Sequence, residues 1–358
     1  MKNEIIRDDQ CNAIFLVWPS CYKNKSYQSD LIKIYEEIIR IIINNNGYIL
    51  LIKDKQDDVY LIDSKNKSLL EEEKKLNGKL KLINYECDDI WIRDFGPIIL
   101  RSDIISCMRF LKLNYDGYGK KYKHDKDAIF ADYYIRSVIN TDNSYEVIYP
   151  FKDISLEGGN LITNGEGIFL SNMNCIIKNN NVSKKEIIKK IIEGCKQYKL
   201  GQFKYIEMNN ITGDDTNGHI DNLVRFYNKN TLLYMSTNQK EHPEYEKLIE
   251  LKRQLLVIIR ETPQLENIIE INHDINDIQT NSNNQILPFS YLNYIELNNI
   301  IIFPVLKNIT EKKKEYLQNI FHKKSVYFIN AEALLEEYGG LHCCTLNSLN
   351  RDNYNENS

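Results

Sequence analysis

The sequence predicts an α/β fold in which a unit of β-hairpin, helix and strand recurs and closes head to tail into a ring. Three observations carry that prediction. Hydrophobic spacing switches repeatedly between the i, i+3, i+4, i+7 rule of a helix buried on one face and short β-rich runs. Turns rich in Asn and Gly join those runs in pairs. Charged or reactive residues beside glycine return at a nearly constant interval.

Taken along the chain, an apolar run at 13–17 leads to Leu31, Ile34, Tyr35, Ile38, Ile39 and Ile42, a helical stripe, and then to a strand at 48–52. Runs at 98–100 and 104–113 flank Ser102-Asp103, followed by a helix through Ala128, Ala131, Ile135, Val138 and Ile139 and a strand at 145–149. Runs at 161–163 and 168–170 flank Asn164-Gly165, both of which tolerate positive φ. The helix of Ile187, Ile188, Ile191, Ile192 and Cys195 follows, opened by a Ser183/Glu186 capping box, with a strand at 204–208. Runs at 223–227 and 231–235 precede a helix through Tyr245, Leu248, Ile249, Leu255, Leu256 and Ile259 and a strand at 268–271. The last full copy pairs 291–297 with 300–303 across Asn298-Asn299, then a helix at Tyr316, Leu317, Ile320 and Phe321 and a strand at 326–329. A fifth copy is shared between 341–346 and the N-terminal segments.

Of the 358 residues, 42% are apolar and 27% charged, enough to fill a sizeable core. Lys+Arg 46 against Asp+Glu 50 leaves a net charge of −4, with no positive field to draw nucleic acid or anionic lipid. The charged opening lacks the apolar stretch of a signal peptide, so a cytoplasmic protein is expected. Eight scattered cysteines without a Cys-x-x-Cys read as free thiols, not a disulfide frame or metal site. One domain is expected over 1–346, with 347–358 a disordered tail.

Four segments hold the chemistry: Trp91-Ile92-Arg93-Asp94-Phe95-Gly96-Pro97, Glu157-Gly158-Gly159-Asn160, the stretch from Gly213 to Asp221, and Gly339-Gly340-Leu341-His342-Cys343-Cys344-Thr345. Asp94 to Glu157 spans 63 residues, Glu157 to His219 spans 62, and His219 to Cys343 spans 124, twice 62. A ring with that period gathers all four around one axial hole. There Cys343 is a candidate nucleophile and His219 a candidate acid/base, with Glu157 orienting the imidazole. Strand alternation would send His219 and Asp221 to the same face. Asp94 and Asp221 then remain as two carboxylates without metal-ligand spacing, suited to gripping the planar fork of a guanidinium.

Each motif alone has a bland reading. A lone Cys is usually a small buried hydrophobe, which is the reading for Cys11, Cys87, Cys107, Cys175 and Cys195, and Cys344 reads as packing. His124, His242, His273 and His322 read as exposed, and His342 as structural. Four motifs in register outweigh those alternatives.

Together, Trp-x-Arg-Asp-x-Gly-Pro, Glu-Gly-Gly-Asn, Gly-Asp-Asp-Thr-x-Gly-His-x-Asp-Asn and Gly-Gly-x-His-Cys-x-Thr resemble the agmatine deiminase branch of the peptidylarginine-deiminase-type, guanidino-group-modifying superfamily. The resemblance runs from Trp18-Pro19 to Thr345 and includes the segment from Leu287 to Asn293. It implies a five-bladed α/β propeller (pentein) with pseudo-fivefold symmetry, no metal and no cofactor. It implies hydrolysis of agmatine to N-carbamoylputrescine and ammonia, by a homodimer acting on a small-molecule guanidine. Cys343 would form a covalent amidino-thioether, and His219 would protonate ammonia and then activate water. Asp94 and Asp221 would bind the guanidinium, with Glu157 in support. Trp91 and Asp215 would line the end that holds the primary amine, and Asn160 would join the substrate-binding set. Departures from the family's pattern are Tyr118, where Trp is common, and Asn347, where a Gln-type residue is usual. A deiminase of free or peptidyl arginine giving citrulline, and a silent guanidine-binding propeller, remain as alternatives.

Overall fold

A computed structural model gives the fold and describes residues 3–56, 78–101, 108–139 and 145–350. The hairpin Ile162–Thr163 and Ile168–Asn172 runs into helices Met173–Asn180 and Lys184–Tyr198, and strand Gln202–Ile206 returns parallel to the second hairpin strand. Parallel pairing needs such a crossover, and the amphipathic helix supplies it while covering the sheet. The same order recurs in Val224–Asn228, Thr231–Ser236, Tyr245–Arg260 and Asn267–Asn272. It recurs in Ile295–Leu297, Ile300–Val305, Glu311–Ile320 and Ser325–Asn330. Ile98–Arg101, Met108–Leu111, the helix beginning at Asp127–Tyr133, and Tyr145–Ile148 make a fourth copy.

The fifth copy joins the two ends of the chain. Thr345–Ser348 pairs antiparallel with Ala13–Val17, which pairs in parallel with Tyr48–Lys53 after helix Gln28–Asn44. Leu31, Ile34, Tyr35, Ile38, Ile39 and Ile42 are buried on that helix as the spacing required. Each contributes roughly 1.5–3 kcal/mol by leaving water. The Ser183 hydroxyl accepts from Glu186 N–H, capping helix Lys184–Tyr198. Among the described residues no helix is long and apolar enough to cross a membrane.

Several expectations are corrected. The run 291–297 is a strand only over Ile295–Leu297, because the Ser290 hydroxyl donates to Asn222 O and accepts from Leu292 N, folding 290–293 into a turn. Strands Glu4–Ile5 and Leu80–Asn84 extend two sheets, and Gln279–Thr280 pairs with Ile286–Leu287; none was anticipated. The first residues of the expected tail are ordered. Asn347 and Ser348 lie buried in the last strand, held by Arg93 Nη2 donating to Asn347 Oδ1 at 2.7 Å and Asn347 Nδ2 donating to Glu296 O at 2.7 Å. His242 and His273 are buried, not exposed, and Cys87 is half-buried. The Ser102-Asp103 turn, Cys107, the side chains of Val138 and Ile139, and 351–358 lie outside the described residues.

Candidate active site

Each reactive residue sits on a short turn at the entrance to a sheet. Asp94 is in the turn Ile92–Phe95, Glu157 precedes Gly158–Asn160, His219 precedes Ile220–Asn222, and Cys343 precedes Thr345–Ser348. The turns are tied together by their backbones. Gly159 N donates to Asp94 Oδ1 at 2.8 Å, and Arg93 N donates to Cys343 O at 3.3 Å. Gly159 has no room for a side chain: a Cβ there would lie 2.6 Å from His219 Nδ1 and 2.8 Å from Asp94 Oδ1.

The five expected residues converge. His219 Nδ1 stands 3.6 Å from Asp94 Oδ1 and its Nε2 3.8 Å from Glu157 Oε2. Cys343 Sγ lies 3.8 Å from Asp221 Oδ2. Glu157 and Asp221 are 0% exposed, His219 1% and Asp94 2%. His219 and Asp221 do converge, but through a 3-10 turn and not through strand alternation. Both ring nitrogens of His219, Glu157 Oε2 and Asp221 Oδ1 have no hydrogen-bond partner. Buried polar atoms left this way cost about 1–3 kcal/mol each and mark a place prepared for a ligand.

Charge follows from this crowding. Burial opposes ionisation of His219, but Asp94, Glu157 and Asp221 outweigh it and raise the imidazole to about 10. Burial pushes Asp94 up to about 6, with His219 and the Tyr118 hydroxyl holding it from rising further. Asp221 is also penalised by burial, yet His342 draws it below the ordinary range. Burial, then Asp221 and Asp94, lift the Cys343 thiol well above its usual value. The pocket is therefore rich in buried carboxylate, and its thiol is held protonated near neutral pH.

Two further residues shape the site. Asn293 Nδ2 donates to Cys343 Sγ at 3.1 Å and to Asn222 Oδ1 at 2.9 Å, while its Oδ1 accepts from His342 N and Cys343 N. The Tyr118 hydroxyl donates to Asp94 Oδ2 at 2.7 Å from a backbone held at φ 61°. Asn293 belonged to a resembling segment but carried no charge to flag it; Tyr118 stood out only as a departure. Behind the site, His342 Nδ1 is 2.7 Å from Asp221 Oδ2 and its Nε2 3.1 Å from Asp8 Oδ2, and Asp8 meets Arg225 at 2.6 Å. That row agrees with the structural reading of His342.

A cleft of about 180 Å³ opens onto Cys343 and Asp94. Trp91, Tyr118 and Asp215 line it as well, and so do Asp89 and Glu337, which the sequence did not single out. A Cβ on Gly339 would fall 2.3 Å from the Trp91 ring, so the glycine lets the indole lie against the loop. Asn160 is not in the cleft. It is buried with its amide spanning the backbone of Asn172, accepting from N at 2.9 Å and donating to O at 3.1 Å. Arg93 also turns away, donating to Thr345 O and Asn347 Oδ1. Cys344 is fully buried with its thiol 3.3 Å from Leu341 O, a packing residue as expected.

Comparison with known proteins bears on the fold and the family. A Listeria monocytogenes protein provisionally named agmatine deiminase 2 is 27% identical over 304 residues, covering 76% of this chain and 77% of its own. An agmatine deiminase of C. jejuni, solved with substrate bound, superposes with a TM-score of 0.79 at 23% identity, covering 98% of this chain and 97% of that one. An Enterococcus faecalis agmatine deiminase gives 0.77 at 18% identity, covering 98% and 96%. The mixed α/β fold is thus shared with these enzymes, and more distantly with the DDAH of Pseudomonas aeruginosa, at a TM-score of 0.51 and 12% identity over 94% of this chain and 99% of that one. The family model described as Porphyromonas-type peptidyl-arginine deiminase matches residues 7–348, and the chain belongs to that family.

Proposed function

We propose that the protein is an agmatine deiminase, releasing ammonia and N-carbamoylputrescine through a covalent amidino-cysteine. The observation that carries this reading is the charge of the cleft. Asp89, Asp94, Asp215 and Glu337 line it, and no Lys or Arg does so among the described residues. Lys25 and Lys121 meet Glu337 and Asp215 without lining it, whereas half-buried Asp89 accepts from the Tyr22 hydroxyl and Ile90 N and pairs with no Lys or Arg among the described residues. Agmatine is cationic at both ends and fits such a cleft. Arginine would bring a carboxylate among four others, and like-charge juxtaposition costs several kcal/mol. The residue that would have answered it, Arg93, is engaged elsewhere.

In this scheme the guanidinium lies between Asp94 and the open Oδ1 of Asp221, above Cys343. Its charge lowers the thiol, whose proton leaves to solvent, and Asn293 donates to the sulfur. The thiolate attacks the central carbon, and the collapsing adduct expels ammonia with the proton of His219. Water then gives one proton to His219 as it attacks the amidino carbon, and the adduct collapses with its hydroxyl proton passing to solvent, returning the thiolate and leaving the urea product. Glu157, itself bonded by Asn179 at 2.8 Å, holds the imidazole for both transfers. The five sheets of common order, one of them built from both chain ends, support a single domain arranged as a five-bladed α/β propeller of pseudo-fivefold symmetry.

An ammonia assay on agmatine, arginine and a blocked arginine peptide tests the substrate. Agmatine is expected to lead in kcat/KM by at least about a hundredfold; equal turnover of arginine would sink the assignment. The pH profile is a second check. With agmatine, kcat/KM rises through neutrality as Asp94 loses its proton near 6 and thiolate becomes accessible, and it turns down only as His219 deprotonates near 10. An optimum at or below pH 6 contradicts that ordering. Asn293→Ala removes the donor to the sulfur and is expected to lower kcat by roughly 10–100-fold, with a smaller effect on KM.

A further inference from the structure

We propose that Glu157, Cys175 and His219 form a site for a thiophilic divalent cation, Zn²⁺ in particular, whose binding inhibits the enzyme. One ligand atom from each residue lies within 4.8 Å of the other two, and all three residues are buried. Glu157 Oε2 and both His219 nitrogens have no hydrogen-bond partner. The Cys175 thiol, on helix Met173–Asn180, donates to Thr216 O at 3.4 Å and accepts from Asn179 Nδ2 at 3.8 Å, which leaves sulfur lone pairs open. A cysteine on a buried helix face is ordinarily packing. This one faces the Glu157 carboxylate and the His219 imidazole, which approach each other at 3.8 Å without a hydrogen bond.

The donor set selects the ion. Thiolate, imidazole and carboxylate suit Zn²⁺, whereas Mg²⁺ and Ca²⁺ prefer all-oxygen shells. Bond lengths of roughly 2.3 Å to sulfur and 2.0–2.1 Å to nitrogen and oxygen put tetrahedral ligand atoms roughly 3.3–3.6 Å apart. His219 Nε2 and Glu157 Oε2 are already at 3.8 Å, so closing on the ion needs small side-chain shifts. Three protein ligands leave a fourth position for water. Binding expels the thiol proton, and any proton on His219, to solvent. The guanidinium uses Asp94 and Asp221, so the cation site adjoins the substrate site without repeating it. Inhibition rests on the acid/base role proposed for His219, which the ion would occupy; the binding itself does not.

Co²⁺ serves as the spectroscopic stand-in, added to chelator-treated full-length protein. A thiolate-to-cobalt charge-transfer band is expected to saturate at one ion per chain, to persist in Cys343→Ala, to vanish in Cys175→Ser and His219→Ala, and to be displaced by Zn²⁺. In the ammonia assay, Zn²⁺ inhibits reversibly to EDTA, and Cys175→Ser keeps metal-free activity while needing at least tenfold more Zn²⁺. Absence of the band, its survival in Cys175→Ser, or its loss in Cys343→Ala overturns the site. Should Cys175→Ser not fold, Cys175→Ala is read the same way. If agmatine is not turned over, the cobalt spectra still decide the metal site, so the two readings fail separately.

Discussion

Cys343→Ser lowers ammonia release from agmatine by at least about 10⁴-fold, because a serine hydroxyl in the same place is not ionised near neutral pH. The cation hole survives the change. Asp94, Asp221 and the donor from Asn293 do not depend on the sulfur for their positions, since Asp221 is held by His342 and Asp94 by Tyr118 and Gly159. Agmatine binding should therefore persist while turnover vanishes, a split readable by calorimetry beside the ammonia assay. The neighbouring thiol is the internal control. Cys344→Ser is expected to leave most of the activity, because that side chain points at Leu341 O in the core. Full turnover by Cys343→Ser, or an equal loss in Cys344→Ser, contradicts the assignment.

His219→Ala is expected to reduce kcat by about 10²–10⁴-fold, the range for loss of a positioned acid/base. The imidazole stands between Asp94 and Glu157, and these carboxylates keep its proton on up to about pH 10. Removing it leaves ammonia to depart without a proton and water to attack without a base. The alkaline fall of the pH profile should disappear with it. A variant that keeps that fall would show another group to be the acid.

Much of this site was legible because the repeat acts as a ruler. The near-constant interval from Asp94 to Glu157 to His219 marked equivalent turns in successive units, so the sequence brought residues together that no local motif joins. The fifth unit was legible for a related reason: the unpaired runs at the two termini completed one pattern, and Thr345–Ser348 does pair with Ala13–Val17. What escaped was polar but uncharged, or out of register. Asn293 is a neutral amide in a Ser290-Tyr291-Leu292 turn, and only coordinates reveal that both its ends serve the Cys343 loop. Asp89 and Glu337 enter the cleft from connections outside the repeating turns. Asn160 shows the opposite error. Its motif is in register, yet its amide is spent on Asn172, because the buried end of strand Ile168–Asn172 must have its backbone satisfied before a ligand is served.

The measurement that bears most directly on the whole account is peptide mass spectrometry of the wild-type protein quenched in acid during turnover of agmatine. The mass of agmatine less ammonia should appear on the peptide bearing the adjacent thiols, with fragmentation placing it on Cys343. Ammonia release with no adduct at any quench time, or an adduct on Cys344, would contradict attack by Cys343 on a guanidinium held between Asp94 and Asp221.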